Sequence, residues 1–347
     1  MNYKIIYIIE PPYSIFYKNE FFNSNSNKDR DNSLEPINRL YNKLTKKGLK
    51  VITADQFDPS LKNVIYYYYG FDSYKIAIKH FGKKNFIFKN FMIYEPQLIN
   101  QRNYRNLDLI VKQFEKVYVH DVIGIKNLVK SKYKKKIFQL YWSQHNVKFP
   151  IKPIKMRKNK IILINGHHNP YKYLIYNLNY KSFFTELYSK RIKLIKFFAK
   201  KNYIDLFGVG WGRFFSLDNI WLNYIFNYPY IKKVYIGEVK NKNKILQKYK
   251  FSICIENEMI NNYHTEKLFD VIRAGTIPIY LTSNSCINEL DKKIFIDIND
   301  FESLEDLYNY VNSLTDNDLK KIQSYGQNFL KSKKYKKFTH FFEQTMT

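Results

Sequence analysis

Along the chain, short apolar runs alternate with stretches whose apolar residues recur on one side only. Lys4 to Ile9 reads as a buried strand, and the Asn- and Ser-rich stretch from Asn23 to Ser33 as a polar, turn-forming loop. From Pro36 to Lys47, Ile37, Leu40, Tyr41 and Leu44 share one helical face. Strand-like runs follow at Lys50–Ala54, Asn63–Tyr68 and Asn85–Tyr94, the last leading into a Glu95-Pro96 corner. Helix and strand then alternate through Asp108–Phe114, Lys116–His120 and Lys126–Lys130. That alternation predicts a parallel sheet wrapped by helices.

Phe149–Lys160 is basic, holds two prolines and precedes a new strand at Ile161–Asn165, the pattern of an interdomain linker. The alternation then restarts with a helix at Leu187–Lys200, a strand at Tyr203–Phe207 and glycines at 208, 210 and 212. A strand at Phe251–Glu256, a helix at Thr265–Ala274 and a strand at Thr276–Leu281 follow. The expected architecture is α/β, with two Rossmann-like lobes facing a central cleft. Residues 1–150 form the first lobe, 151–330 the second, and 331–347 a basic and aromatic tail.

Composition adds two facts. A chain of 347 residues suits about two domains at roughly 150 residues each. Lys and Arg total 58 against 30 Asp and Glu, a net charge of +28. Such an excess favours a polyanionic partner: nucleic acid, an anionic membrane face or a phosphorylated small molecule. Lys, Asn, Ile, Tyr and Phe are abundant together, however, as AT-rich codon usage also produces, so charge alone selects none of these. A nucleic-acid-binding protein is the main non-enzyme reading. Against it, the basic residues are scattered and no RNP, zinc-finger or helix-turn-helix pattern occurs.

Two cysteines, Cys254 and Cys286, exclude a disulfide framework, and both sit in apolar runs as expected of buried thiols. The N-terminal apolar run is too short for a signal segment, and no window has the ~18 apolar residues of a spanning helix. A cytoplasmic protein, at most peripheral to a membrane, is expected. Lys331–Lys337 beside Phe338, Phe341 and Phe342 suits either contact with anionic lipid or a solvated helix face next to a docked terminus.

Chemistry concentrates between Tyr249 and Tyr280. Phe251, Ile253 and Ile255 alternate with small or polar residues, and the strand ends in Glu256-Asn257. Thr265 is a suitable N-cap, Glu266 suits the first turn, Leu268, Val271 and Ile272 form a buried stripe, and Gly275 falls at the helix end. Polar residues thus gather outside a strand's carboxyl end, where α/β proteins bind ligands. The N–H groups of Thr265 to Lys267 and the Lys267 ammonium form a candidate phosphate site. An ordinary βαβ unit with a capped helix is the alternative.

Glu256-Asn257, Tyr263-His-Thr-Glu-Lys267 and Ala274-Gly-Thr-Ile-Pro-Ile-Tyr280 closely resemble the signature of the α-1,3/4-fucosyltransferases, glycosyltransferase family 10. The resemblance extends over about residues 60 to 330 and includes Arg191 and the segment around Tyr94-Glu95-Pro96. It implies a GT-B fold and inverting transfer of fucose from GDP-fucose, a nucleotide-sugar substrate, to a hydroxyl of a glycan or glycoconjugate acceptor. No cofactor or metal is implied. Glu95 matches the general base; as a residue it also reads as a turn-forming surface Glu. Arg191, Lys267 and the helix start at Thr265 match the diphosphate site, and Asn257, Tyr263 and Glu266 other donor positions. The chain departs from the family pattern at Asn262, where a glycine is usual, at Glu258, where a serine is usual, and after Tyr280. Those loops face the donor sugar, so a related glycosyltransferase using a different nucleotide sugar remains an alternative. An inactive relative that keeps the fold is a third reading.

Other candidates stand apart. Asp29-Arg-Asp31 and Asp316-Asn-Asp318 fit a metal-holding D-x-D pattern, or a polar loop and a helix cap. His167-His168 and His120-Asp121 lie at strand ends, and the 208/210/212 glycines permit close approach of a phosphate.

Overall fold

The computed structural model describes residues 4–24, 26–167, 185–211, 221–283 and 289–347. The chain divides into two units: Met1–Val147 with Lys336–Thr347, and Lys148–Tyr335.

In the first unit six strands form one parallel sheet: β1 Lys4–Glu10, β2 Lys50–Thr53, β3 Val64–Phe71, β4 Phe86–Met92, β5 Lys116–Val119 and β6 Ile137–Gln139. Their order is β2-β1-β3-β4-β5-β6, so the winding reverses between β1 and β3. Helices α1 Glu35–Lys46, α2 Gln101–Arg105, α3 Leu107–Gln113 and α4 Val122–Leu128 supply the crossovers. Side chains alternate along each strand, so both sheet faces are apolar and both are covered. Ile6, Ile8, Tyr66, Tyr68, Phe88, Val117 and Val119 pack with Ile110 and Phe114 of α3. Ile9, Tyr69, Phe71 and Met92 pack on the other side with Ile37, Leu40 and Leu44 of α1. The helix read at Lys126–Lys130 begins earlier, because the Asp121 carboxylate caps it by accepting from the Gly124 N–H.

The second unit repeats the plan. Strands β7 Lys158–Ile164, β9 Ile204–Phe207, β10 Tyr235–Gly237, β11 Tyr249–Cys254, β13 Ile277–Tyr280 and β14 Ile296–Asp297 form a parallel sheet ordered β10-β9-β7-β11-β13-β14. A separate antiparallel pair joins β8 Thr185–Glu186 to β12 Glu258–Met259. The helices are α5 Tyr188–Lys200, α6 Trp221–Val234, α7 Lys242–Leu246, α8 Glu266–Arg273, α9 Leu304–Ser313 and α10 Asp316–Phe329. Here the winding reverses between β7 and β11, which makes their carboxyl ends the natural ligand crevice of this unit.

Two stretches differ from the sequence reading. The segment read as a linker is fastened into the second unit. Arg157 is buried and donates to the carbonyls of Lys152 and Ala274 and to the Thr276 hydroxyl, while Lys158–Lys160 already belong to β7. The C-terminal residues do not stand apart as a separate segment: 336–347 group with the first unit, in keeping with the docked-terminus alternative. Helices α11 Lys333–Thr339 and α12 Phe341–Met346 carry Phe338, Phe341 and Phe342 into buried positions, and the latter two join the α1 side of the first unit's core. Burying each such side chain is worth roughly 1.5–3 kcal/mol. Arg39 of α1 fastens the end of the chain through Glu343 and the Thr339 carbonyl. The aromatics are therefore committed to the protein interior, and Lys333, Lys334, Lys336 and Lys337 form the solvated face. Among the described residues no helix is long and apolar enough to cross a membrane.

Candidate functional site

Beyond β11 the chain runs Ile255-Glu256-Asn257, at the reversal point of the second sheet. Glu256 is buried, and its carboxylate accepts from the Thr265 N–H at 2.9 Å and from the Thr265 hydroxyl at 2.8 Å. Its other oxygen meets the Lys267 ammonium at 3.0 Å. Thr265 is the N-cap of α8, and its oxygen accepts from the Lys267 N–H at 3.4 Å and the Lys267 ammonium at 3.0 Å. Burial opposes the Lys267 charge, but Glu256 and Glu266 outweigh it and hold the ammonium above the usual lysine range. Burial likewise works against the Glu266 carboxylate, which Lys267 and Lys242 nonetheless hold below its ordinary range.

This arrangement corrects one expectation. The N–H groups at the helix start are not all available to a phosphate, since those of Thr265 and Lys267 are engaged within the protein. The Lys267 ammonium donates to Glu256 and Thr265 at 3.0 Å and lies 3.6 Å from the Glu266 carboxylate.

Arg191 lies in the first turn of α5 and is buried, with 2% of its surface exposed. One of its terminal nitrogens donates to the carbonyls of Ile255 and Glu256 at 3.1 and 3.2 Å, and lies 3.4 Å from the Asn257 side-chain oxygen. Its Nε has no hydrogen-bond partner among the described residues. Burial lowers the guanidinium to about 10, so it stays charged at neutral pH. These acceptors are carbonyl oxygens rather than carboxylates, an arrangement that suits a buried positive charge to an anion. Arg191, Asn257, Glu256, Thr265, Lys267 and Glu266 thus form one connected cluster. Tyr263, buried at 2% exposure, lies within electrostatic reach of Arg191.

Asn262, at the position of the family's glycine, adopts φ 59°. Asn is among the few residues with a side chain that tolerate this left-handed conformation, so the loop keeps a glycine-like backbone. Glu258 is buried on β12. Gly208, just past β9, has φ 137°, and a Cβ there would lie 1.9 Å from the Asn165 carbonyl oxygen; only glycine fits. The His167 ring packs edge-on against Trp211 at 4.5 Å. His168, Gly212 and Cys286 lie outside the described residues.

In the first unit, Glu95 is half-buried on the corner after β4. The backbone of Tyr94 and Glu95 is fully engaged. Both N–H groups donate to the Asp72 carboxylate, at 3.1 and 2.9 Å, the Tyr94 carbonyl lies 3.1 Å from Nε2 of His120, and the Tyr104 hydroxyl donates to the Glu95 carbonyl at 3.3 Å. Burial, then the charge of Glu95, pushes the Asp72 carboxyl well above its ordinary range.

The D-x-D segments have structural work. Asp29 accepts from the Leu34 N–H and the Ser33 hydroxyl; Asp318 completes a capping box with Thr315, and Asp316 pairs with Lys250 at 2.7 Å. Among the described residues no group of three or more His, Cys, Asp or Glu is placed to hold a metal. Of the cluster at β11, the sequence reading quoted Glu256 within the motif but gave it no role. The available signal was a carboxylate closing an apolar strand directly before the capped helix.

Residues 179–347 match the family model described as Glycosyltransferase family 10 (fucosyltransferase) C-term. Among curated relatives, the α-(1,3)-fucosyltransferase FucT of Helicobacter pylori is 40% identical over 76 residues, covering 22% of this chain and 16% of that protein. A crystal structure of an α1,3-fucosyltransferase superposes with a TM-score of 0.52 at 14% identity, covering 96% of this chain and 92% of that one. Anabaena Alr3699/HepE, solved in complex with UDP-glucose, superposes with a TM-score of 0.55 at 10% identity, covering 99% of each chain. The chain matches only 16% and 22% of the length of the first two curated relatives. Two parallel α/β sheets and these superpositions place the fold in the GT-B class. Residues 179–347, the stretch similar to glycosyltransferase family 10, hold the Arg191–Glu256–Lys267 cluster.

Proposed function

We propose that the protein is an inverting glycosyltransferase that moves fucose from GDP-fucose to a hydroxyl of a glycan acceptor. The observation that carries the reading is the cluster at the reversal point of the second sheet, where Arg191 and Lys267 are brought to one strand end by the family's own motif residues. Breaking the sugar–phosphate bond puts negative charge on the departing diphosphate. Fixed cations that are already ordered stabilise that charge without reorganising. Arg191 and Lys267 take this role; Asn257, Tyr263 and Glu266 shape the remainder of the donor pocket.

The acceptor oxygen must lose a proton as it attacks the anomeric carbon, and a carboxylate is suited to take it. Glu95 is assigned as that base. Attack from the side opposite the leaving diphosphate inverts the anomeric configuration, with one base and no covalent sugar–enzyme intermediate. The reading needs a nucleotide-sugar donor and a glycan acceptor, and it involves no nucleic acid, membrane contact or cofactor in the transfer step.

Thermal melting against GDP, UDP, GDP-fucose, UDP-glucose and a short DNA duplex tests the donor. A ligand at about a hundred times its dissociation constant adds about 2.7 kcal/mol. Selective stabilisation by GDP and GDP-fucose, with transfer to an oligosaccharide panel lost in Glu95→Gln, is expected. A response to UDP-glucose alone overturns the fucose assignment, and a response to DNA alone overturns the transferase reading.

A further inference from the structure

We propose that Asp72 is a positioning residue for the Glu95 carboxylate, clamping the peptide units that carry it. The inference rests on the assignment of Glu95 as the base.

Asp72 follows β3 directly, on the strand next to the one that delivers Glu95. It is 9% exposed, and its backbone adopts φ 52°, a conformation that Asp tolerates better than most side chains. Three N–H groups converge on its carboxylate: Tyr94 at 3.1 Å and Asn103 Nδ2 at 3.0 Å on one oxygen, and Glu95 at 2.9 Å on the other. Each partner is a donor, so both carboxyl oxygens must accept, which the nitrogen of an amide cannot do. The clamp is itself held: the Asp72 N–H donates to the Met92 carbonyl at 2.9 Å, and the Asp72 carbonyl accepts from the side chains of Asn100 and Asn103.

The direction in which the Glu95 side chain leaves the backbone depends on the dihedral angles at Tyr94 and Glu95. Asp72 fixes the peptide N–H on the amino side of each residue. Tyr104 fixes the Glu95 carbonyl, and Pro96 restricts Glu95 to extended backbone. A base tethered in this way keeps its oxygen where the acceptor proton must be taken. Displacement of a reacting group by about 1 Å costs on the order of 100-fold in rate.

Asp72→Asn turns one acceptor oxygen into an amide donor facing N–H groups. With GDP-fucose and an oligosaccharide that the wild-type protein accepts, Asp72→Asn is expected to lower kcat by about 100-fold. The KM for GDP-fucose and the affinity for GDP should stay within about twofold, because those depend on the other unit's residues. The Asp72→Asn/Glu95→Gln double variant should be no slower than Glu95→Gln alone, since there is no base left to position. A wild-type kcat for Asp72→Asn, full multiplication of the two losses, or GDP affinity falling in step with kcat overturns the positioning role. An active Glu95→Gln overturns the base assignment and this inference with it. Should Asp72→Asn fail to melt cooperatively, Asn103→Ala replaces it: a several-fold loss of kcat, absent in the Glu95→Gln background, is expected, and an unchanged kcat refutes the clamp.

Discussion

Glu256 and Thr265 hold each other twice across nine residues of sequence, through the Thr265 N–H and its hydroxyl, both donated to one buried carboxylate. The carboxylate closes β11 and the threonine opens α8, so the contact fixes where the helix starts relative to the strand. Because Lys267 meets the same carboxylate at 3.0 Å, the cation assigned to the diphosphate is placed by that contact too.

Glu256→Gln keeps the shape but puts an amide where the ammonium and hydroxyl need an oxygen. Removing one partner of a buried ion pair costs about 3 kcal/mol. A loss of that order should appear in denaturant unfolding, together with weaker binding of GDP in calorimetry. Unaltered stability and GDP affinity would show that Lys267 is placed by other contacts.

The strand–loop–helix–strand unit from β11 to β13 was legible because each of its signals is local: alternation along the strand, a threonine cap, an apolar stripe at helical spacing and a glycine at the end. The role of Glu256 was not, since a strand-end carboxylate in sequence gives no sign of which donors the fold will bring to it. Arg157 illustrates the same limit. In sequence it belongs to a basic, proline-containing stretch, and acceptors that the fold brings to it, among them the Thr276 hydroxyl and the Ala274 carbonyl, both distant in the chain, convert it from a linker residue into a buried anchor. The Phe341 and Phe342 pair was equally open, because their apolar character states that they will be covered but not by what. The departure at Asn262 was visible as a change of residue, whereas its compatibility with the loop is a matter of backbone angle.

That angle gives a second expected outcome. At φ 59° a β-branched residue meets a steric penalty of about 1–2 kcal/mol, while glycine meets none. Asn262→Val should therefore destabilise the protein by about that amount and weaken GDP binding through the Tyr263 loop. Asn262→Gly should stay within about 1 kcal/mol of the wild type, its freedom in the unfolded chain offsetting the relief of strain. Denaturant unfolding of the pair checks this; a valine variant as stable as the glycine variant refutes it.

The acid limb of stability offers the third. Asp270 on α8 pairs with Lys242 at 2.7 Å and with Arg273 at 2.5 Å. Burial opposes its charge, yet Lys242 and Arg273 prevail and hold the carboxyl at about 2. An unfolded aspartate titrates near about 3.9. A carboxyl depressed on folding contributes stability above its unfolded value, and loses it as the pH falls through the folded one. The contribution, about 2 kcal/mol, should disappear between about pH 4 and pH 2. Asp270→Asn lacks the group that titrates, and it leaves Arg273 with an uncompensated buried charge at neutral pH. The stability difference between the two proteins is thus expected to be largest near neutrality and to shrink across that acid window. Urea unfolding at a series of pH values reads it directly, and a difference that stays constant from pH 6 to the lowest folded pH would sink the assignment.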